Sequence, residues 1–74
     1  MKLYAEKKTI WDRRDRYYGR YKKHKVTISA EEDGRFYYLI EGEKNYNSLW
    51  DNKNYDSIEV ASKEAMRYID GGVV

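Results

Sequence analysis

The fold is decided by residues 25–41, which read KVTISAEEDGRFYYLIE. Apolar and polar residues alternate over positions 25–30, so this part is predicted to be a β-strand. One face of that strand collects Val26, Ile28 and Ala30. Asp33-Gly34 is a favoured hairpin signal, and residues 35–41 are rich in strand-forming types. The second strand carries Phe36, Tyr38 and Ile40 on one face and Tyr37 and Leu39 on the other. Since both faces are apolar, it is predicted to lie inside a sheet.

A helix is predicted downstream of this hairpin, over about residues 57–70. Asp56 as N-cap and Glu59 three residues later match a capping box, with Tyr55 and Val60 placed as a hydrophobic staple. Apolar residues recur at helical spacing, namely Ile58, Ala61, Ala65, Tyr68 and Ile69. Gly71-Gly72 follows as a stop signal. The two alanines would allow the helix to approach a sheet closely.

Two further segments complete the predicted sheet. Residues 46–50, Tyr-Asn-Ser-Leu-Trp, favour a weaker third strand. Residues 1–24 fit two patterns: an apolar stripe recurring every seven residues indicates a helix, whereas the β-branched and aromatic content indicates strands near 2–11 and 16–23. The extended interpretation is preferred for residues 2–11. The predicted class is therefore α+β, an antiparallel three- or four-stranded sheet packed on one C-terminal helix.

Length and composition exclude several kinds of function. The chain has 74 residues, which indicates one domain over 1–74, made of a basic aromatic segment (1–24), antiparallel strands (25–54) and the helix (56–70). It has no cysteine and one histidine, so disulfides, thiolate metal sites and His-rich metal sites are not expected. A core this small could be supplemented by a second subunit, which leaves a homodimer open.

No catalytic machinery is predicted. His24 has no nucleophile or orienting partner near it in the sequence, and no phosphate-binding glycine loop or nucleophile elbow is present. We therefore expect neither an enzyme nor a bound cofactor. No stretch approaches the roughly 20 apolar residues that span a bilayer, and residues 1–8 lack the apolar core of a signal peptide. A cytoplasmic protein without membrane contact is expected.

Charge is divided unevenly along the chain. Residues 1–26 carry ten Lys or Arg against three Asp or Glu, whereas residues 27–74 carry five against ten. Such a split indicates either a polyanion partner or pairing between the two halves. Because the acidic half would repel a polyanion unless the two charges face opposite sides, a protein partner is preferred and nucleic acid is the alternative.

The candidate contact residues come from the basic aromatic segment and from the tyrosine surplus, nine Tyr in the whole chain. Exposed Tyr and Arg are typical anchors of protein interfaces, and cations beside aromatic rings can also hold phosphates and stack on unpaired bases. The predicted partner-binding residues are Arg13, Arg14, Arg16, Tyr17, Tyr18, Arg20, Tyr21, Lys22, Lys23 and Tyr37. Lys25 joins the phosphate contacts under the nucleic-acid hypothesis, and Tyr46 and Trp50 join the exposed aromatics under the protein hypothesis.

Three architectural resemblances bear on these hypotheses. The sheet-then-helix order over residues 35–67 resembles AP2-type and integrase arm-binding domains, which implies DNA contact through the sheet. A helix over residues 3–17 would make the order similar to double-stranded-RNA-binding domains, although Ser57-Ile58-Glu59 stands where that family has paired lysines. The overall style is similar to short inhibitor proteins of phages and mobile elements, including anti-CRISPR proteins. That resemblance implies an inhibitor of a host complex that handles nucleic acid.

Overall fold

The computed structural model describes residues 1–72 as an antiparallel sheet with an α-helix on one of its faces. The elements are β1 (Tyr4–Ala5), β2 (Arg16–Tyr21), β3 (His24–Ala30), β4 (Phe36–Glu41), β5 (Tyr46–Asn47), a 3₁₀ turn (Ser48–Asp51) and α1 (Ile58–Asp70). Neighbouring strands in the sheet are also neighbours in the chain, so β3 is the central strand. The predicted α+β class is confirmed, and two very short edge strands bring the number of strands to five.

The cross-strand register sorts the side chains onto two faces. Toward the helix lie the rows Tyr17–Ile28–Tyr38 and Gly19–Val26–Ile40–Tyr46 and, at the two ends of the sheet, the pairs Tyr21–His24 and Ala30–Phe36. The opposite side carries Tyr4–Tyr18–Thr27–Leu39–Asn47, flanked by the rows Arg16–Ser29–Tyr37 and Arg20–Lys25–Glu41. The faces predicted for residues 25–41 are confirmed, because side chains alternate strictly along a strand.

The buried core lies between the helix and strands β3 and β4. It is formed by Val26, Ile28, Tyr38, Ile40, Tyr46, Ala61, Ala65 and Ile69. Ala61 and Ala65 are fully buried, and their small side chains let the helix backbone approach the sheet. Ile58 is only partly buried at the first turn of the helix. The apolar residues that were predicted to lie on one side of α1 do face the sheet, with full burial only after the first turn.

The helix begins one residue later than the sequence indicated. Ser57, not Asp56, is the N-cap, and its hydroxyl accepts a hydrogen bond of 3.1 Å from the amide of Val60. Asp56 instead places its carboxylate 3.4 Å from the guanidinium of Arg35. The predicted Asp56 capping box and the Tyr55–Val60 staple are therefore wrong. Serine and aspartate cap a helix equally well. Cap preference therefore does not choose between positions 56 and 57, and we attribute the start of the helix to the packing of its apolar residues on the sheet.

The predicted third strand is shorter than expected. Only Tyr46 and Asn47 pair with β4, and a 3₁₀ turn follows. The Asn47 side chain accepts a hydrogen bond from the amide of Leu49, and the Ser48 hydroxyl accepts one from the amide of Tyr38. These polar side chains offer the backbone an alternative to strand pairing. Asn52 then ends the turn in the left-handed region, at φ 56°.

Residues 1–24 adopt the extended interpretation, and the helical one is wrong. The strand is confirmed at 16–21, but within 2–11 only Tyr4 and Ala5 pair in the sheet. Residues 1–3 cross the helix side of β2 at Gly19, where a Cβ would lie 2.5 Å from the carbonyl oxygen of Lys2. Met1 and Leu3 pack against the edge of the core there. Because position 19 is glycine, residues 1–3 can lie against β2 and cover the edge of the core that the helix leaves uncovered.

Tyrosines fill much of the core because aliphatic residues are scarce. Tyr46 stacks on Tyr68 with ring centroids 3.9 Å apart, and Tyr38 stacks on Tyr55 at 6.0 Å. The Tyr46 hydroxyl donates a hydrogen bond to the Asp51 carboxylate, so this ring is buried and its polar atom is satisfied. The expectation that Tyr46 is an exposed contact residue is wrong.

Truncating the helix side of the core should destabilise the protein. Ile69→Ala is expected to lower the free energy of unfolding by about 2–5 kcal/mol, because it removes a buried aliphatic side chain. Val60→Ala on the same helix is the matched control, since Val60 is largely exposed and its truncation should have a much smaller effect. Urea denaturation compares the two variants. Equal losses would mean that Ile69 does not belong to the core.

Alkaline pH should unfold the protein through its buried tyrosines. Burial, together with neighbouring Tyr55 and Tyr46, raises the pKa of Tyr38 above its ordinary value. The unfolded chain therefore ionises first, near pH 10, so stability is complete below that pH and falls as pH rises beyond it. Urea titrations at increasing pH should show this fall, and Tyr38→Phe should make it shallower. The exposed Tyr4→Phe should keep the wild-type steepness, and stability that stays constant above pH 10 would contradict the account.

Candidate functional site

The candidate site is the face of the sheet that points away from the helix, termed the open face. Helix α1 packs on β3 and β4 from the opposite side, and no other element within residues 1–72 covers the open face. Its side chains are polar or aromatic with the exception of Leu39. A sheet face of this composition is suited to contact a ligand rather than to bury a core.

Two exposed tyrosines form the centre of one half of the open face. Tyr4 and Tyr18 are direct cross-strand partners with ring centroids 5.7 Å apart. The exposed fractions of these side chains are 49% and 38%. The Lys2 ammonium lies 5.4 Å from the Tyr4 centroid, and the Lys25 ammonium lies 5.7 Å from the Tyr18 centroid. With Arg20, these residues line one depression, which we call the tyrosine–cation patch (Lys2, Tyr4, Tyr18, Arg20 and Lys25).

The cations of the patch are not neutralised by carboxylates. Lys2, Arg20 and Lys25 take part in none of the ion pairs found among residues 1–72. A cation–π arrangement leaves the positive charge in place, since the ring carries no net charge. The patch therefore offers three positive charges next to two rings.

Other cations of the N-terminal half are paired internally. Arg14 and Arg16 both contact the Asp12 carboxylate, at 3.4 and 2.8 Å. A hydrogen bond from the Arg14 backbone amide, and then one from its guanidinium, lowers the pKa of Asp12. Lys22 pairs with Asp70, and its hydrogen bond lowers the pKa of that carboxyl. Among the ion pairs within residues 1–72, only Lys22–Asp70 joins the basic and acidic halves of the sequence.

A polar groove adjoins the patch and shares Lys25 with it. Besides Lys25 it is lined by the shorter side chains of Thr27, Ser29, Leu39 and Asn47 and by the longer ones of Glu6, Arg16, Tyr37 and Glu41. Thr27 and Ser29 are 8% and 4% exposed, because longer side chains on the neighbouring strands overhang them. Arg16 also lines the groove, and its Nε is buried without a hydrogen-bond partner in the described part of the chain. The groove thus offers both donors and acceptors.

The predicted partner-binding residues are distributed over several surfaces. Four of them belong to the open face, namely Arg16, Tyr18, Arg20 and Tyr37. Tyr17 and Tyr21 belong to the helix-side rows, and the Tyr21 hydroxyl donates to Asp70. Lys22 and Lys23 form the β2–β3 turn at positive φ, and Arg13 and Arg14 lie in the loop between β1 and β2.

Among the charged and aromatic residues of the site, sequence reasoning missed four: Lys2, Tyr4, Glu6 and Glu41. Tyr4 becomes relevant only because β1 pairs with β2 opposite Tyr18, and a two-residue strand leaves almost no signal in the sequence. Glu41 could have been found, because it follows Tyr37 and Leu39 at intervals of two and so shares their face.

A second exposed feature is the loop between β1 and β2. At its tip, Ile10 and Trp11 are 78% and 90% exposed. The Thr9 hydroxyl accepts hydrogen bonds from the amides of Trp11 and Asp12, at 3.2 and 3.0 Å. An ion pair of 2.7 Å joins Lys8 to Asp15 near its base. The apolar tip is therefore held in an ordered turn.

Three kinds of observation complete the description of the site. Within residues 1–72, no three His, Cys, Asp or Glu side chains are grouped in a way that could hold a metal ion. The helix of this same region is too short and too polar to cross a membrane. The chain has no match among protein-family models and no significant match among curated proteins or solved structures. The chemistry of the open face is therefore the basis on which a function can be assigned.

Proposed function

We propose that the protein is a non-catalytic binding module whose open face binds single-stranded nucleic acid. The observation that carries this proposal is the tyrosine–cation patch, in which three cations without carboxylate partners surround two exposed rings. Cations of this kind neutralise backbone phosphates and release counterions. Aromatic rings stack on unpaired bases, with a contribution of about 1–3 kcal/mol per base.

The position of the two tyrosine rings favours a single-stranded nucleic acid over a duplex. Tyr4 and Tyr18 are exposed side by side on the sheet, and only a base that has left its own stack can lie against such a ring. A duplex hides the faces of its bases and would meet the patch only through its phosphates. Single strands should therefore bind more tightly than duplexes of the same length.

The distribution of negative charge is compatible with this partner. Glu59, Glu64 and Asp70 belong to α1, which packs on the other side of the sheet. Asp51 accepts a hydrogen bond from Tyr46, which also points to the helix side. These acidic groups do not line the patch, so they are separated from a polyanion by the thickness of the sheet. Glu41 of the acidic half, by contrast, lies on the open face in the row of Arg20 and Lys25, so only part of the acidic half is removed from a polyanion on the patch.

A protein partner is the second candidate, and the Ile10–Trp11 tip favours it. An exposed Trp held in an ordered turn is a typical hot-spot residue, because it can enter a pocket with little loss of conformational entropy. In this alternative the protein is a phage-type inhibitor that docks onto a host complex handling nucleic acid. Trp11→Ala would then abolish docking, whereas nucleic-acid binding by the patch should be unaffected by it.

The proposal predicts salt-dependent binding that depends on the patch. Fluorescence anisotropy with labelled single-stranded DNA and RNA should show affinity falling with salt, by about 0.7 log unit per log unit of salt for each neutralised phosphate. Replacing Lys2, Arg20 and Lys25 together by Ala should weaken binding and reduce the salt slope by about 2. Tyr18→Leu should weaken binding about 5- to 150-fold through lost stacking.

The matched control replaces Lys44, Lys53 and Lys63 by Ala. These exposed lysines also take part in no ion pair within residues 1–72, so the two triple variants have the same net charge. The control should retain most of the wild-type affinity, because its lysines lie outside the open face. Equal losses in the two variants would show that binding depends only on net charge. Absence of binding at low salt would refute the nucleic-acid function.

A further inference from the structure

We propose that the polar groove beside the patch selects guanine, with Glu41 as the acceptor that recognises it. This inference depends on the proposed binding of single strands to the open face. Its starting point is that Glu6 and Glu41 lie on a face where phosphates are expected to bind. A carboxylate near phosphates lowers affinity for any polyanion, so its presence needs a compensating role.

The Glu41 carboxylate is available to a ligand. Like Glu6, it takes part in none of the ion pairs formed within residues 1–72. Lys25 is the cross-strand partner of Glu41 in the register, but its ammonium is directed to the ring of Tyr18. An exposed carboxylate thus lines a groove together with Thr27, Leu39 and Asn47, which are neighbours across the strands.

The chemistry of base edges identifies guanine as the ligand. An ionised carboxylate only accepts hydrogen bonds, and its two oxygens suit a pair of parallel donors. Guanine presents two adjacent donors on its Watson–Crick edge, the ring N1–H and the exocyclic amino group. Adenine and cytosine place an acceptor nitrogen beside their amino group, and thymine and uracil offer a single ring N–H between two carbonyl oxygens. The carboxylate therefore attracts guanine and repels at least one edge atom of every other base.

The position of the groove sets which nucleotide is read. The groove shares Lys25 with the tyrosine–cation patch, and Thr27 is the cross-strand neighbour of Tyr18. In the proposed complex one base stacks on Tyr18, and the next nucleotide on the Thr27 side lies over the groove. The nucleotide over the groove is recognised by its base, whereas its neighbour on Tyr18 is only stacked. A single guanine within a pyrimidine strand is therefore sufficient for selection.

The test compares two oligonucleotides in fluorescence anisotropy titrations at one salt concentration. One is a short oligothymidylate, and the other carries a single central guanine in the same sequence, which prevents guanine-rich assemblies. The wild-type protein should prefer the guanine-containing strand about 5- to 150-fold, the usual discrimination of a bidentate base contact. Glu41→Gln should bring this preference close to one while affinity for oligothymidylate stays equal or rises, because a repulsive charge is removed.

Glu43→Gln is the matched control, since Glu43 is exposed in the β4–β5 turn and its replacement changes the net charge by the same amount. It should keep the guanine preference. If Glu41→Gln raises affinity for both strands by one factor and the preference persists, Glu41 is only a repulsive charge and the inference is wrong. Equal wild-type affinity for both strands also refutes the inference but leaves the proposed function intact. If neither strand binds at low salt, the proposed function fails as well.

Discussion

The structure depends on how one helix of 13 residues covers a sheet of five strands. The helix reaches β3 and β4, and Ala61 and Ala65 let it lie close to Val26, Ile28 and Ile40. Its last residue, Asp70, accepts a hydrogen bond from Tyr21 at the end of β2, but the rest of β2 is covered by the first residues of the chain, which cross at Gly19 and bring Met1 and Leu3 to the edge of the core. The apolar core is thus confined to one side of the sheet, and the other side remains open.

This one-sided core also explains the unusual use of tyrosine. Because aliphatic residues are few, tyrosine rings fill the rest of the core on the helix side of the sheet. Their hydroxyls lie at the edge of the core and form hydrogen bonds there, from Tyr46 to Asp51 and from Tyr21 to Asp70. The open face uses the same residue type differently, since Tyr4 and Tyr18 expose their rings beside unpaired cations. A tyrosine-rich composition therefore serves both packing and binding, and the strand period of two decides which role each residue has.

The sequence predicted the parts of the fold in which local pattern and tertiary packing agree. The hairpin over residues 25–41 and the C-terminal helix have strong periodicity, and both are confirmed. The helix cap was wrong by one residue because Asp56 and Ser57 are equally good caps. The 3₁₀ turn after Asn47 was missed because it is set by side-chain hydrogen bonds to the backbone. Most of the predicted site residues came from one continuous basic run, but strand alternation places Tyr17 and Tyr18 on opposite faces of the sheet. Glu41 shares the face of Tyr18, and Lys2 brings its ammonium to the Tyr4 ring from the segment before β1.

The central claim is that the open face, and not the helix side or the loop tip, is the binding surface. Amide chemical-shift mapping of isotope-labelled protein titrated with a short guanine-containing single strand tests this most directly. The account predicts that the largest changes fall on the central strands around Tyr18, Lys25, Thr27 and Glu41, with α1 nearly unaffected. Changes concentrated on α1, or confined to Ile10 and Trp11 at the loop tip, would contradict it.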